Sequence, residues 1–157
     1  MSSPPPTIPM RKWDKYVKRN DTGHIIGIVD GAPELAKDAY NRAIDYNKWL
    51  LEKTANDLKK MVDAGFEHYQ FVATLDEVTC PICGSLDGNV FKIADAAVGV
   101  NSPPMHIGCR CVTTIVFTDE KLANSNRFAR DRDGRGIKVR ADVFYPQYKQ
   151  KYIDNPE

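Results

Sequence analysis

All four cysteines of this 157-residue chain lie in two short stretches, "TCPICGSLDG" (Thr79 to Gly88) and "PPMHIGCRC" (Pro103 to Cys111), together with one of its three histidines. A fold must either gather these stretches or keep them apart. Cys80-Pro81-Ile82-Cys83-Gly84 has the form C-P-x-C-G. Two thiolates at that spacing reach one tetrahedral ion, Pro fixes the turn, and Gly supplies the φ > 0 position after it. Backbone N–H groups in such a turn also point at sulfur and help hold its charge. The second stretch, His106-x-x-Cys109-x-Cys111, offers three more donors. The 22 residues between Cys83 and His106 leave room for a β-hairpin between two ligand pairs, the layout of a zinc-ribbon-like module. Five candidates thus compete for four places around a structural zinc. Cys80 and Cys83 come first, His106 and Cys109 complete the preferred set, and Cys111, opening a strand, is the rival fourth ligand.

Other readings of the same thiols stay open: a disulfide, a redox C-x-x-C, or reduced cysteines packed as small apolar residues. A thioredoxin-like dithiol opens a helix in a βαβ setting. Here the motif follows a strand and runs into "GSLDG", which reads as a turn. A catalytic zinc needs an open coordination position and a nearby acid or base, and no H-E-x-x-H occurs. The nucleobase-deaminase pattern, H-x-E followed by P-C-x-x-C, is missing as well. No Asp-His or His-His pair lies between the cysteines to serve an HNH-type nuclease. The expectation is a protein that is not an enzyme and has no small-molecule substrate.

Composition narrows the partners. The net charge is +1 and the pI about 7.6, so no whole-molecule basic field favours duplex DNA. No apolar run approaches the ~20 residues of a membrane span. "MSSPPPTIPM" is not a secretory signal. A reducing cytoplasm is then the default compartment, where disulfides rarely persist.

The chain divides on paper into four parts. Residues 1–22 read as a Pro-rich and basic N-terminal arm. Residues 23–66 form a helical segment: "HIIGIVDGAP" gives a short strand or loop, then Leu35, Ala39, Ala43, Tyr46, Leu50, Thr54, Leu58 and Met61/Val62 recur at three and four. That pattern fits one long helix from Pro33, or two with a break near Tyr46–Lys48, with Gly65 as the C-terminal cap. Residues 67–118 hold the Cys/His module, with strands in "HYQFVATL", "NVFKI" and "VTTIVF". Residues 119–157 form a basic loop and tail, with "NSNRFARDRDGRG" as a surface loop and a strand in "GIKVRADVFY". The fold class is therefore α+β, a long N-terminal helix (or two) followed by a small antiparallel β region with a zinc-ribbon-like Cys/His site. His24 and His68 stand apart as surface or packing residues, Asp76 and Glu77 as turn carboxylates on a solvated face. Arg110 either offsets thiolate charge or faces solvent.

The residues "ATLDEVTCPICGSLDGNVFKI … NSPPMHIGCRCVT" resemble the C-terminal signature of the phage head-morphogenesis (Mu F-like, minor head protein) family. Its pattern runs roughly T-x-D-x-x-T-C-x-x-C-x-x-L-D-G-x-V-F, then P-P-x-H-x-x-C-R-C. The chain meets it at Thr74, Asp76, Thr79, Cys80, Cys83, Leu86, Asp87, Gly88, Val90 and Phe91, and again at Pro103, Pro104, His106, Cys109, Arg110 and Cys111. "RFARDRDGRGIKVRADVFYPQYKQKY" is similar to a tail found in some members. The pattern's usual H-P-N-C-R-C is His106-Ile107-Gly108-Cys109 here, which changes the turn and keeps the ligands. Members usually carry a large helical region before the signature, and only some forty residues stand in its place. The resemblance implies a structural virion protein, a minor head protein or its separately encoded C-terminal module, working through contacts with portal, capsid or scaffold proteins, located in the virion head and in the host cytoplasm during assembly.

Two other readings compete. One is a small zinc-ribbon phage regulator binding nucleic acid through Arg127, Arg130, Arg132, Arg135, Lys138 and Arg140, a run that Asp131 and Asp133 interrupt. Salt-dependent DNA binding would mark it. The other is a phage-encoded inhibitor of a host protein, for which no residue names a target.

Overall fold

A computed structural model describes residues 3–7 and 10–154, without the Arg11 side chain. The expected Pro-rich arm therefore lies partly outside the described residues. Met10–Tyr16 forms a 3-10 turn that packs on the long helix, and β1 (Val17–Arg19) pairs antiparallel with β2 (Ile25–Ile28).

The run from Pro33 is one helix, α1 (Glu34–Asp63), with no break near Tyr46–Lys48. Its ending follows from Gly65. At φ 92° this glycine lets its own N–H reach the Val62 carbonyl (3.0 Å) and the Phe66 N–H reach that of Met61 (2.9 Å), closing the last turn on itself. The buried face runs through Ala36, Ala39, Ala43, Leu50, Thr54 and Met61. The expected stripe is thus turned slightly: Leu35 and Val62 face outward, and Ala36 and Met61 take their places.

Behind the helix stands a three-stranded antiparallel sheet in the order β4-β3-β5, from Val90–Lys92, His68–Val72 and Val112–Thr114. The stretch between Cys83 and His106 therefore holds a single strand, β4, which pairs back onto β3, rather than a self-contained hairpin. Phe71 on β3 is fully buried among Leu50, Ala73, Cys83, Cys109 and Cys111. Burying side chains such as Leu50 and Phe71 contributes about 1.5–3 kcal/mol each.

A second, smaller core lies beyond Leu75. The expected surface loop at 124–136 instead contains β6 (Asn126–Arg130), paired in register with β7 (Gly136–Arg140) across a turn that Asp131 closes by accepting the N–H groups of Asp133 and Arg135 (both 2.9 Å). A short helix, α3 (Asp119–Ala123), precedes it, capped by Thr118. The hairpin and α4 (Tyr145–Tyr148) bury Ala129, Val139, Tyr145 and Tyr148 around Leu75. Among the described residues no helix is long and apolar enough to cross a membrane.

Candidate metal centre

The C-P-x-C-G motif opens a helix, α2 (Pro81–Leu86), which corrects the expectation of a turn. Cys80 is its N-cap: the sulfur accepts the Cys83 N–H at 3.3 Å, the backbone-to-sulfur contact the motif predicts. Gly84 is helical, so the φ > 0 role assigned to it is also corrected. Its reason is space, because a Cβ there would sit 2.2 Å from the Tyr145 ring. The left-handed glycine is Gly88 (φ 83°), where a Cβ would meet Phe144 at 2.5 Å.

The fold brings all five candidate ligands into one cluster. His106 Nε2 lies 3.4 Å from Cys80 Sγ and 3.3 Å from Cys83 Sγ. Cys83, His106 and Cys109 present ligand atoms within 4.8 Å of one another. Cys111, buried just ahead of β5, lines the cleft beside these groups. All four thiols are free; Cys83, Cys109 and Cys111 are buried and Cys80 borders solvent. A small cleft lined by Thr79, Cys80, Cys83, His106, Arg110 and Cys111 opens beside them.

His106 is set up as a donor. The Ile107 carbonyl can only accept, so the contact at 2.9 Å puts a proton on Nδ1 and leaves Nε2 as the ring nitrogen that faces the sulfurs. Its pKa is raised: burial works to lower it, but hydrogen bonds to Cys80 and the Ile107 carbonyl prevail. The thiols share their protons unevenly. Hydrogen bonding from Cys83, against the opposing effect of burial, brings Cys80 down to about 3, while hydrogen bonds to Cys109, Cys111 and Cys80 hold Cys83 up. Cys109 is lowered by hydrogen bonds from Cys111 and Cys83, and Cys111 is raised, first by its bond to Cys109. Sulfurs this close cannot all ionise unless a cation joins them. A soft, thiolate- and imidazole-lined cluster of this kind fits a d¹⁰ ion such as zinc.

A family model, Phage Mu protein F like protein, matches residues 30–114, from the turn before α1 to the end of β5. The chain belongs to the phage Mu F-like head-morphogenesis family. The match spans a little over half of this Mu F-like chain and contains every cysteine of the cluster. No curated protein and no solved structure matches it.

Within this Mu F-like module the signature carboxylates do structural work. Asp76, expected on a solvated face, is buried and held in a two-bond ion pair by Arg110, whose Nη2 lies 3.1 Å from Oδ1, with further hydrogen bonds from Thr79 Oγ1 (3.1 Å) and the Val78 N–H (3.0 Å). Burial pushes its pKa up, yet Arg110 and these donors bring the net below the usual carboxylate value. Arg110 thus stays partly exposed to solvent while its guanidinium is committed to Asp76.

Asp87, matched in the sequence only as a signature position, has a role that the sequence did not indicate. It accepts from the Ala73 N–H (2.9 Å), the Tyr145 N–H (2.9 Å) and both terminal nitrogens of Arg127 (2.8 and 3.1 Å), with its side chain 1 % exposed. Arg127, expected on a nucleic-acid-facing surface, is instead an internal strut, which also donates to the Ala73 and Val143 carbonyls. The other cations of that run diverge. Arg130 donates to the Gly134 carbonyl and lies over Phe128, Arg140 pairs with Asp142, and Arg132, Arg135 and Lys138 are exposed.

His24 was missed outright. It stacks on His106 with ring centroids 4.3 Å apart, and His24, Cys80 and His106 present ligand atoms within 4.8 Å of one another. Its only signal in the sequence is that it is a histidine, since it lies some eighty residues from its neighbour in the fold. His68 is exposed at the start of β3.

Proposed function

We propose that this chain is a minor head, or head-morphogenesis, structural protein that acts through protein–protein contacts in the head and portal region, with a structural zinc stapling its cysteine module. Family membership supports the head role. The single observation that carries the metal is the convergence of four thiols and His106 on one cluster, with His106 Nε2 turned toward sulfur. Cys80, Cys83 and His106 would hold three places; spacing gives the fourth to Cys109, with Cys111 as rival. The ion would supply cross-linking between α2 and the His106–Cys111 loop, and binding of this kind is folding free energy.

A non-enzymatic role is part of the proposal. Asp76, four residues before Cys80, spends its oxygens on Arg110, Thr79 and Val78 and is not free to move a proton. The partners are portal, capsid or scaffold proteins, and the location is the virion head, with the host cytoplasm during assembly. A regulator binding DNA is less well supported, because Arg127 and Arg140 are committed to carboxylates within the chain. Gradient sedimentation of proheads from infected cells tests the role: the chain should travel with assembled particles or isolated portal. Its absence from both contradicts the proposal.

A further inference from the structure

We propose that His24 is a ligand of the ion, occupying the fourth place beside Cys80, Cys83 and His106, so that the metal clips the N-terminal hairpin onto the cysteine module. This rests on the reading that the cluster holds an ion, and it assigns a residue outside the segment that the family model matches.

The placement starts in the backbone. Ile25 forms an antiparallel bridge with Ile107, which sets β2 beside the loop carrying His106 and brings the preceding residue, His24, over its ring. The proton positions follow from partners. Asn20 Oδ1 accepts the Thr22 hydroxyl (2.7 Å) and the N–H groups of Thr22 and His24 (3.1 and 3.0 Å). Having donated its only hydrogen, Thr22 Oγ1 can only accept from His24 Nδ1, 3.3 Å away. His24 Nδ1 therefore carries the proton, as His106 Nδ1 does against Ile107, and both Nε2 atoms are left over. That is how a second oxygen acceptor orients a metal-bound imidazole.

His24 Nε2 is buried and, among the described residues, makes no well-formed hydrogen bond, with the Cys80 sulfur its nearby polar neighbour. A buried lone pair without a donor costs about 1–3 kcal/mol. Cys109, the rival whose sulfur lies within 4.8 Å of the Cys83 and His106 ligand atoms, is buried in the apolar cluster with Leu50, Phe71 and Ala73. Charge points the same way. Two thiolates and two neutral imidazoles balance a divalent ion, whereas a third thiolate leaves one net negative charge in a largely buried place.

The test uses the full-length zinc-loaded chain. Zinc-edge X-ray absorption should show two sulfurs and two nitrogens around the ion; three sulfurs and one nitrogen overturn the assignment. His24→Phe keeps a ring against His106 and removes the nitrogen. Its zinc affinity, measured against a competing chelator, should fall by more than the roughly 10–100-fold that loss of an outer contact brings. An unchanged affinity shows that His24 only stacks, and overturns the proposal. His24→Cys should retain zinc and add one sulfur to the shell. If the wild-type chain binds no zinc, this proposal and the metal reading fall together; if it binds zinc and His24→Phe binds equally well with the same shell, only this one falls.

Discussion

The two ends of the six-residue helix α2 solve the same problem in opposite ways. At its C-terminal end, Asp87 carries a charge in an almost fully buried place, and every oxygen is answered by the chain itself: two backbone N–H groups and the fork of Arg127. At its N-terminal end, Cys80 and Cys83 meet two more sulfurs and an imidazole, donors of electrons with too few protons to share. One end is closed by a residue forty positions away in sequence. On the zinc reading proposed above, the other is closed by a cation from outside. The difference teaches two ways a small module can tie distant segments together: a built-in ion pair at one end and, on the proposed reading, a bound metal at the other.

The largest effect should come from removing the ion. Chelation should cost several kcal/mol and lower Tm by about 10 °C or more, with loss of near-ultraviolet signal from the aromatic residues over the cluster. A chelator that leaves Tm in place breaks the comparison at its metal end. Next is the other end. Asp87→Asn keeps the shape but leaves Arg127 buried without its counter-charge, a loss of roughly 3–5 kcal/mol in urea unfolding. A loss under 1 kcal/mol would mean that water, not Asp87, satisfies Arg127.

How far these two ends could be read from the sequence differs for a physical reason. The thiols announced themselves, because Cys and His at short spacing have few other uses, and α1 announced itself by thirty residues of helical periodicity. Arg127 did not. On β6 it faces inward beside Ala129 while Phe128 faces out, 61 % exposed, so the alternation of polar and apolar residues that marks a half-buried strand is inverted and the segment reads as a loop. Gly84 and Gly88 were visible as turn signals only. Their contacts with Tyr145 and Phe144 belong to a tail sixty residues on. His24 joins the cluster through one bridge between Ile25 and Ile107, which no local pattern encodes.

Gly84→Ala sharpens the comparison by disturbing both ends at once, since the methyl would enter the Tyr145 ring next to Cys83. A cost of about 1–3 kcal/mol is expected, partly relieved in Gly84→Ala/Tyr145→Leu. Additive losses in the double variant would separate Tyr145 from α2. The smallest effect concerns pH. The folded pKa of Asp76 is below its unfolded value, so its contribution is full above the ordinary carboxylate range and fades as pH falls through the folded pKa. In metal-free protein, Asp76→Asn should flatten the fall in stability below about pH 4 and leave the slope near neutrality unchanged. An identical acid limb in both proteins would remove Asp76 from the account.

The most direct measurement is the metal content of the full chain purified without added metal, by elemental mass spectrometry, beside a thiol count before and after chelation in denaturant. One zinc per chain, with all four thiols reactive only once it is removed, is the expected result. A chain without metal, whether its thiols are all free or joined in disulfides, would contradict the claim that an ion closes the open end of α2.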